Sequence, residues 1–215
     1  MEQAEAAKTF TPLEVALKLK ADYSHGLMDH NTKALDEVCA LCWRVEKSNL
    51  RTEEFLDVCA DMITKHLGIA SVAIAVRDRD KAYRYKVVTG VDKEAVEGMK
   101  RIAYTREQLN DDKTYPGHEI SPHTKVYLSE DHPYAKDEEF SYRRPGLIGM
   151  RRRAVNDSLE ADYIDFFFYG PDKEVLGWIE TSGTRMRKLP DPATIRWIEL
   201  IAFIIGQTLQ LRKQF

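Results

Sequence analysis

A chain of 215 residues, 43% hydrophobic and 31% charged, carries enough apolar material for one sizeable core, so one domain with an extension is expected. Its net charge of -3 supplies no basic surface to neutralise a phosphate backbone, which removes nucleic acid from the expected partners. No membrane partner is expected either: MEQAEAAKTF at the start lacks the basic and apolar regions of a signal or transit peptide, and WIELIAFIIG is broken by Glu199 and too short to span a bilayer.

TPLE at 11–14 opens a predicted helix toward Gly26, with Thr11 as N-cap, Pro12 at the first helical position and Glu14 completing a capping box. A second helix follows the caps Asn31 and Thr32, with Leu35, Val38, Cys42 and Val45 at helical spacing. A third starts at Thr52, has Glu53 and Glu54 in its first turn, and ends at Gly68 after Phe55, Cys59, Met62 and Ile63.

The pattern then changes to a period of two. SVAIAVRD and YRYKVVTG, joined by DRDKA, predict a first hairpin, with Tyr83, Tyr85 and Val87 on one face of its second strand. Residues 91–160 read as short helices and loops with one strand over Lys125–Leu128. YIDFFFYG and EVLGWIET bracket a Gly-Pro-Asp turn and predict a second hairpin, and Asp191 with Pro192 opens the last helix. That helix carries two apolar stripes: Ile195, Ile198, Ala202, Ile205 and Leu209, beside Trp197, Ile201, Ile204 and Leu211. One covers the sheet; the other is buried either by the N-terminal helices of the same chain or by a second subunit.

ASVAIAVRDRDKAYRYKVVTG, EADYIDFFFYGPDKEVLGWIETSG and LPDPATIRWIELIAFIIGQTLQL together resemble a GAF domain, the small-molecule sensing module of signalling proteins. The resemblance covers residues 50–212 and rests most on Gly177, Pro190, Thr194, Glu199, Leu200 and Ala202. It implies an α+β fold: a GAF-like antiparallel sheet with N- and C-terminal helices on one face and a ligand pocket on the other. Residues 1–50 form a helical extension and residues 51–215 the sensory domain on this reading. The connecting segments close the pocket, and residues 114–134, with His118, His123 and Tyr127, lie in its lid.

Alternation divides the strand at 163–169 into an apolar face, Ile164, Phe166 and Phe168, and an aromatic face, Tyr163, Asp165, Phe167 and Tyr169. The second is the expected ligand surface, because an aromatic concavity with a few polar anchors suits a small molecule, and an ordinary half-solvated sheet face has the same pattern. Arg143 and Arg144, in RRPGLIGMRRR with Arg151, Arg152 and Arg153, approach the same mouth if the ligand is anionic; a solvated loop paired with acids is the commoner fate of such a cluster.

Cys39, Cys42 and Cys59 are an odd set that makes no secreted disulfide framework and fits a reducing, cytoplasmic compartment. They supply three thiols without a fourth zinc ligand, and they match apolar helical stripes. The spacing of His118, His123 and His132 matches no compact metal motif. No phosphate-cradling glycine loop, HExxH or Gly-x-Ser-x-Gly elbow occurs. The chain also departs from known members of the resembling family: every Cys precedes the first strand, unlike the sulfoxide reductases, the cyclic-nucleotide signature is missing, and no Cys is placed for a bilin. The expectation is a non-catalytic sensor of an unidentified small molecule, with no cofactor assigned, acting as a homodimer through its helices or through a separate signalling protein, since no output segment follows residue 215. The alternative is a redox- or metal-dependent protein, an enzyme included, using Cys39, Cys42 and Cys59 or the lid histidines.

Overall fold

The computed structural model describes residues 17–21, 30–47, 50–135, 138 and 145–212. Of the opening helix only residues 17–21 fall within these, and they are helical; Arg143 and Arg144 lie outside the described residues.

Helix α1, His30–Lys47, packs beside α2, Thr52–His66. The α2 start is fastened by Glu54, whose carboxylate accepts from the Arg51 backbone N–H at 2.9 Å, satisfying an otherwise orphaned donor. Its buried stripe is Phe55, Leu56, Cys59, Met62 and Ile63, as the spacing predicts. On α1 the phase differs from the expected one: Ala34, Val38 and Leu41 are buried, whereas Leu35 and Cys42 are exposed. Both sets satisfy helical periodicity and share Val38; the face that docks carries the small Ala34, which lets the helices approach closely.

Six strands follow, β1 Val72–Arg77, β2 Tyr83–Thr89, β3 Gly117–Ser121, β4 Thr124–Tyr127, β5 Tyr163–Tyr169 and β6 Val175–Thr181. They form one antiparallel sheet in the order β2-β1-β6-β5-β4-β3. Helix α3, Lys93–Met99, is capped by Asp92, which accepts from the Ala95 N–H. Helix α4, Pro192–Leu211, is capped by Asp191, which accepts from the Thr194 N–H.

One face of the sheet is covered by α1, α2 and α4. There Val72, Ile74, Ile164, Phe166, Phe168, Leu176 and Ile179 share a core with the three helices. Both stripes of α4 contribute to it: Ile198, Ala202, Ile205 and Leu209 are buried, and so is Ile201 from the second stripe, because the helices of the same chain reach it. Phe203 and Leu211 remain exposed. Among the described residues no helix is long and apolar enough to cross a membrane.

Residues 114–134, expected as a lid with one strand over Lys125–Leu128, contribute two strands, β3 and β4, an edge hairpin in the plane of the sheet. Pro116 precedes the first strand residue and Pro122 sits in the turn, so neither removes a ladder hydrogen bond. The hairpin is tied to α4: Ser121 Oγ and Thr124 Oγ1 both donate to Glu199 Oε1, the latter at 2.6 Å.

Gly177 sets the spacing of the sheet centre. A Cβ there would lie 2.1 Å from the Ala75 carbonyl oxygen and 2.6 Å from the Phe168 ring. Gly177→Ala is therefore expected to cost about 1–3 kcal/mol through overpacking, measured as a lower urea midpoint; an unchanged midpoint would show that the strands can separate without penalty.

Candidate functional site

The face of the sheet away from these helices, here the distal face, begins with a shallow floor. Ala73 and Ala75 on β1 present only methyl groups, while Tyr83 and Tyr85 from β2, Trp178 from β6 and Phe167 from β5 rise around them. A bulge makes this possible: Ile74 pairs with Val87 and Ala75 with Tyr85, so Lys86 is the extra residue. Strict alternation would hold Tyr85 and Val87 on one face; the bulge sends Val87 to the helix core and leaves Tyr83 and Tyr85 on the distal face.

The cover comes from residues 100–116. Tyr104 is bridged to Tyr83 by two backbone hydrogen bonds of 2.9 Å, and its ring meets those of Tyr85, Tyr115 and Trp178 at centroid distances of 6.1, 6.1 and 5.8 Å, within the range of edge-to-face packing. A single-turn 3-10 helix, Gln108–Asn110, carries Leu109 onto the same cluster. Beneath these residues is a cavity of about 40 Å³ lined by Tyr85, Tyr104, Gln108, Leu109, Tyr115, Tyr127, Tyr163, Asp165, Trp178 and Glu180. A neighbour of about 30 Å³ reaches Met99, Ile102, Pro133 and Glu138. Both share the lining residues Tyr163 and Glu180 with a much larger cleft of about 590 Å³ at the end of the sheet, lined also by Ala73, Val88, Met99, Asp162, Ser182, Arg185 and Arg187 among others.

Two carboxylates stand in this interior. Asp165 and Glu180 are direct cross-strand partners of β5 and β6, a like-charge arrangement that is normally destabilising. Tyr85 donates its hydroxyl hydrogen bond to Glu180. Burial pushes the Glu180 carboxyl up to about 7, against the Tyr85 hydrogen bond, which lowers it. Burial, then the neighbouring Glu180 charge, drives Asp165 well above the usual carboxylate range, partly opposed by Lys125. A carboxyl pair so enclosed keeps a proton near neutral pH. Asp165 Oδ1 and Trp178 Nε1 are buried without a hydrogen-bond partner, and such orphaned groups are rare without a purpose.

Of the residues expected to meet a ligand, Tyr163, Asp165 and Tyr127 line the cavity, with Tyr127 stacked on Tyr163 at 4.4 Å between centroids. Phe167 packs against Trp178 at 6.3 Å. Tyr169 lies past a second bulge, near the sheet edge, where its ring meets His123 at 5.5 Å. His118 is exposed and paired with Asp131 at 2.7 Å. Sequence reasoning missed Glu180, although period two on β6 places it on the same face as Trp178. It also missed Tyr85, Tyr104 and Tyr115, because the face of β2 depends on the bulge and the last two lie in irregular chain.

The remaining candidates sit elsewhere. Arg152 is clamped between Glu130 and the buried Asp162, each at 2.9 Å, where it closes the loop before β5. The expectation that all three cysteines occupy apolar core positions holds only for Cys59; Cys39 and Cys42 are exposed, since α1 docks on its Ala34 flank. Burial raises the Cys59 thiol far above its ordinary range, which makes a thiolate there unfavourable. Among the described residues no group of three His, Cys, Asp or Glu side chains is arranged to hold a metal ion.

The carboxyl pair gives a measurable pH dependence. Glu180 binds its proton more tightly folded than unfolded, so its own contribution to stability is fully present below the ordinary value of 4.5 and is lost as pH rises through about 7. Glu180→Gln, which can still accept from Tyr85, should flatten this decline in urea midpoints. A wild type whose midpoint rises across that interval would contradict the enclosed pair.

No family model matches this sequence, and no curated protein matches it. Solved structures do. The GAF domain/HD domain protein from Geobacter sulfurreducens is 10% identical with a TM-score of 0.55, over 76% of this chain and 95% of that one. The GAF domain of a phosphoenolpyruvate-protein phosphotransferase from Coxiella burnetii is 10% identical with a TM-score of 0.53, over 86% and 97%. The chromophore-binding domain of an unusual bacteriophytochrome from R. palustris is 10% identical with a TM-score of 0.51, over 83% and 62%. The six-stranded antiparallel sheet, helices on one face and an aromatic cavity on the other, is the GAF fold.

Proposed function

We propose that residues 51–215 form a non-catalytic, cytoplasmic sensory module that binds an unidentified small molecule on the distal face, with residues 1–50 as its helical extension. The observation that carries the reading is the cavity holding Asp165 and Glu180, adjacent to the open cleft with which it shares Tyr163 and Glu180, on the reverse side of the strands that pack under the helices. Its aromatic walls and few polar anchors are what a small-molecule site needs. The inner space is occupied by Tyr104, Tyr115 and Leu109 of the chain itself, so entry of a ligand requires residues 100–116 to shift. The bacteriophytochrome domain of similar fold is a chromophore-binding one, which supports small-molecule binding as a use of this fold.

Occupancy has a route to the helices. Tyr127 lines the cavity, and three residues earlier on β4 Thr124 is hydrogen-bonded to Glu199 of α4. A ligand that moves β4 thereby moves a helix, whose output passes through a homodimer or to a separate signalling protein.

Mass spectrometry of molecules released when the purified protein is denatured tests the ligand site. Ala73→Leu, which fills the floor, should release none while remaining folded; identical yields from both proteins would place the molecule elsewhere. Self-association is tested at Phe203, which is 61% exposed on α4. Phe203→Glu should convert a dimer to a monomer by light scattering with an unchanged circular dichroism spectrum, and a wild type that is monomeric at every concentration removes the dimer.

A further inference from the structure

We propose that the inner end of this cavity takes the cationic head of a small organic amine, seated between the Asp165 and Glu180 carboxyl groups and the surrounding rings. The proposal deepens the sensory reading above and rests on it. Three independent observations converge on this chemistry: a buried pair of acids without an ion-pair partner among the described residues, walls rich in aromatic rings, and no lysine, arginine or histidine in the inner lining among the described residues.

The acids come first. Asp165 and Glu180 are cross-strand neighbours, and among the described residues neither forms an ion pair with a lysine or arginine. The nearest candidate is Lys125, directly opposite Asp165 on β4, yet its ammonium is 3.9 Å from Asp112 instead. Asp165 is only 7% exposed, and its Oδ1 lacks a hydrogen-bond partner while its side chain lines the cavity. A buried acceptor left open in a cavity is costly and leaves room there for a donor from outside the chain.

The walls add selectivity. Tyr85, Tyr104, Tyr127 and Trp178 surround the two acids, and aromatic faces attract a cation through their quadrupoles. No lysine, arginine or histidine lines either inner cavity among the described residues, so no cationic side chain there would balance an anion, and the open Trp178 Nε1 donor is left to a neutral acceptor. A divalent metal is a poor match as well: such an ion wants about six oxygen ligands, and no group of three ligating side chains exists among the described residues.

Size fixes which part of the ligand enters. The inner cavities of about 40 and 30 Å³ exceed the roughly 10–15 Å³ that one water needs but not by enough for a whole metabolite. An ammonium head fits there, and the remainder of the molecule lies in the cleft of about 590 Å³, which begins at Tyr163 and Glu180. The charged and titratable groups facing the pair are Tyr85 from β2, Tyr104 and Tyr115 from the cover, Lys125 and Tyr127 from β4, Tyr163 from β5, and Glu138. The proton held by the acids is displaced as the cation arrives and passes to solvent, so binding strengthens as pH rises.

Calorimetric titration of the full chain with phenethylammonium, its neutral match 2-phenylethanol and the anion 3-phenylpropionate tests the assignment. Phenethylammonium should bind at least about tenfold more tightly than the alcohol, and its affinity should increase between about pH 6 and about pH 8. Asp165→Asn and Glu180→Gln, each close in shape to the native side chain, should each weaken it by about tenfold or more while keeping a cooperative melt. Equal affinity for the alcohol or the carboxylate, displacement of the ammonium by calcium or magnesium, or no ammonium binding overturns the proposal. If the ammonium fails but the purified protein still releases a neutral or anionic small molecule, the sensory reading survives alone. If no small molecule of any charge binds or is released, both fall.

Discussion

Burial of Ile164, Phe166 and Phe168 beneath α4 is the interaction on which the site depends. Each is at most 2% exposed, and each such side chain contributes about 1.5–3 kcal/mol by leaving water. Because a strand alternates faces, anchoring those three forces Tyr163, Asp165 and Phe167 to the opposite side. Asp165 cannot rotate to solvent without pulling its neighbours out of the core. The apolar face therefore holds an acid in a place it would not choose, and a one-residue slip that freed it would expose the whole apolar set.

The distal face uses irregularity where the helix face uses regularity. The bulge at Lys86 turns Tyr83 and Tyr85 inward, and Lys86 itself is held at the edge by Asp78 at 2.6 Å. The two alanines of β1 leave a hollow that larger residues would have filled, and the chain fills it with Tyr104, Tyr115 and Leu109 from a connecting segment. That segment is fastened to the sheet at Tyr104 by backbone hydrogen bonds, yet beyond it only one short 3-10 turn intervenes before β3. Side chains from such a segment can leave the hollow at less cost than any residue of a strand, which is why the cover and not the floor is suited to yield to a ligand.

How much of this was legible in the sequence follows the same division. The two-faced pattern of β5 was plain, since period two and the fully apolar run Ile164, Phe166 and Phe168 leave no choice of face. The start of α4 was equally plain, with Asp191 as cap and Pro192 at the first helical position. The α1 phase was not, because Leu35 and Ala34 both fall on workable stripes and only the partner helix decides between them. The cover was assigned to residues 114–134, of which Tyr115 belongs to it; most of the rest is the β3–β4 hairpin, because Pro116, Pro122 and Pro133 all lie outside its two strands. Glu180 was hidden by the turn-and-strand reading of its hairpin, in which the companion faces of β5 and β6 had not been laid side by side. In the arginine cluster Arg152 is committed to Glu130 and Asp162, the pairing with nearby acids that its composition makes the commoner fate.

The link between the two faces runs through the edge hairpin as well as through β5. Glu199 projects from the middle of α4 and accepts from both Ser121 and Thr124, so the hairpin cannot tilt without loading the helix. The same hairpin carries Tyr127, stacked on Tyr163 above the carboxyl pair. A group entering beside Asp165 meets that stacked pair directly, and the strain it creates is divided between a strand edge with few neighbours and a helix anchored along its length. On the proposed sensory reading the edge, as the less constrained partner, would move first, and the Glu199 hydrogen bonds would convey its movement to α4. Cys39 and Cys42 sit on α1, on the helix side of the sheet, outside this path from cavity to helix.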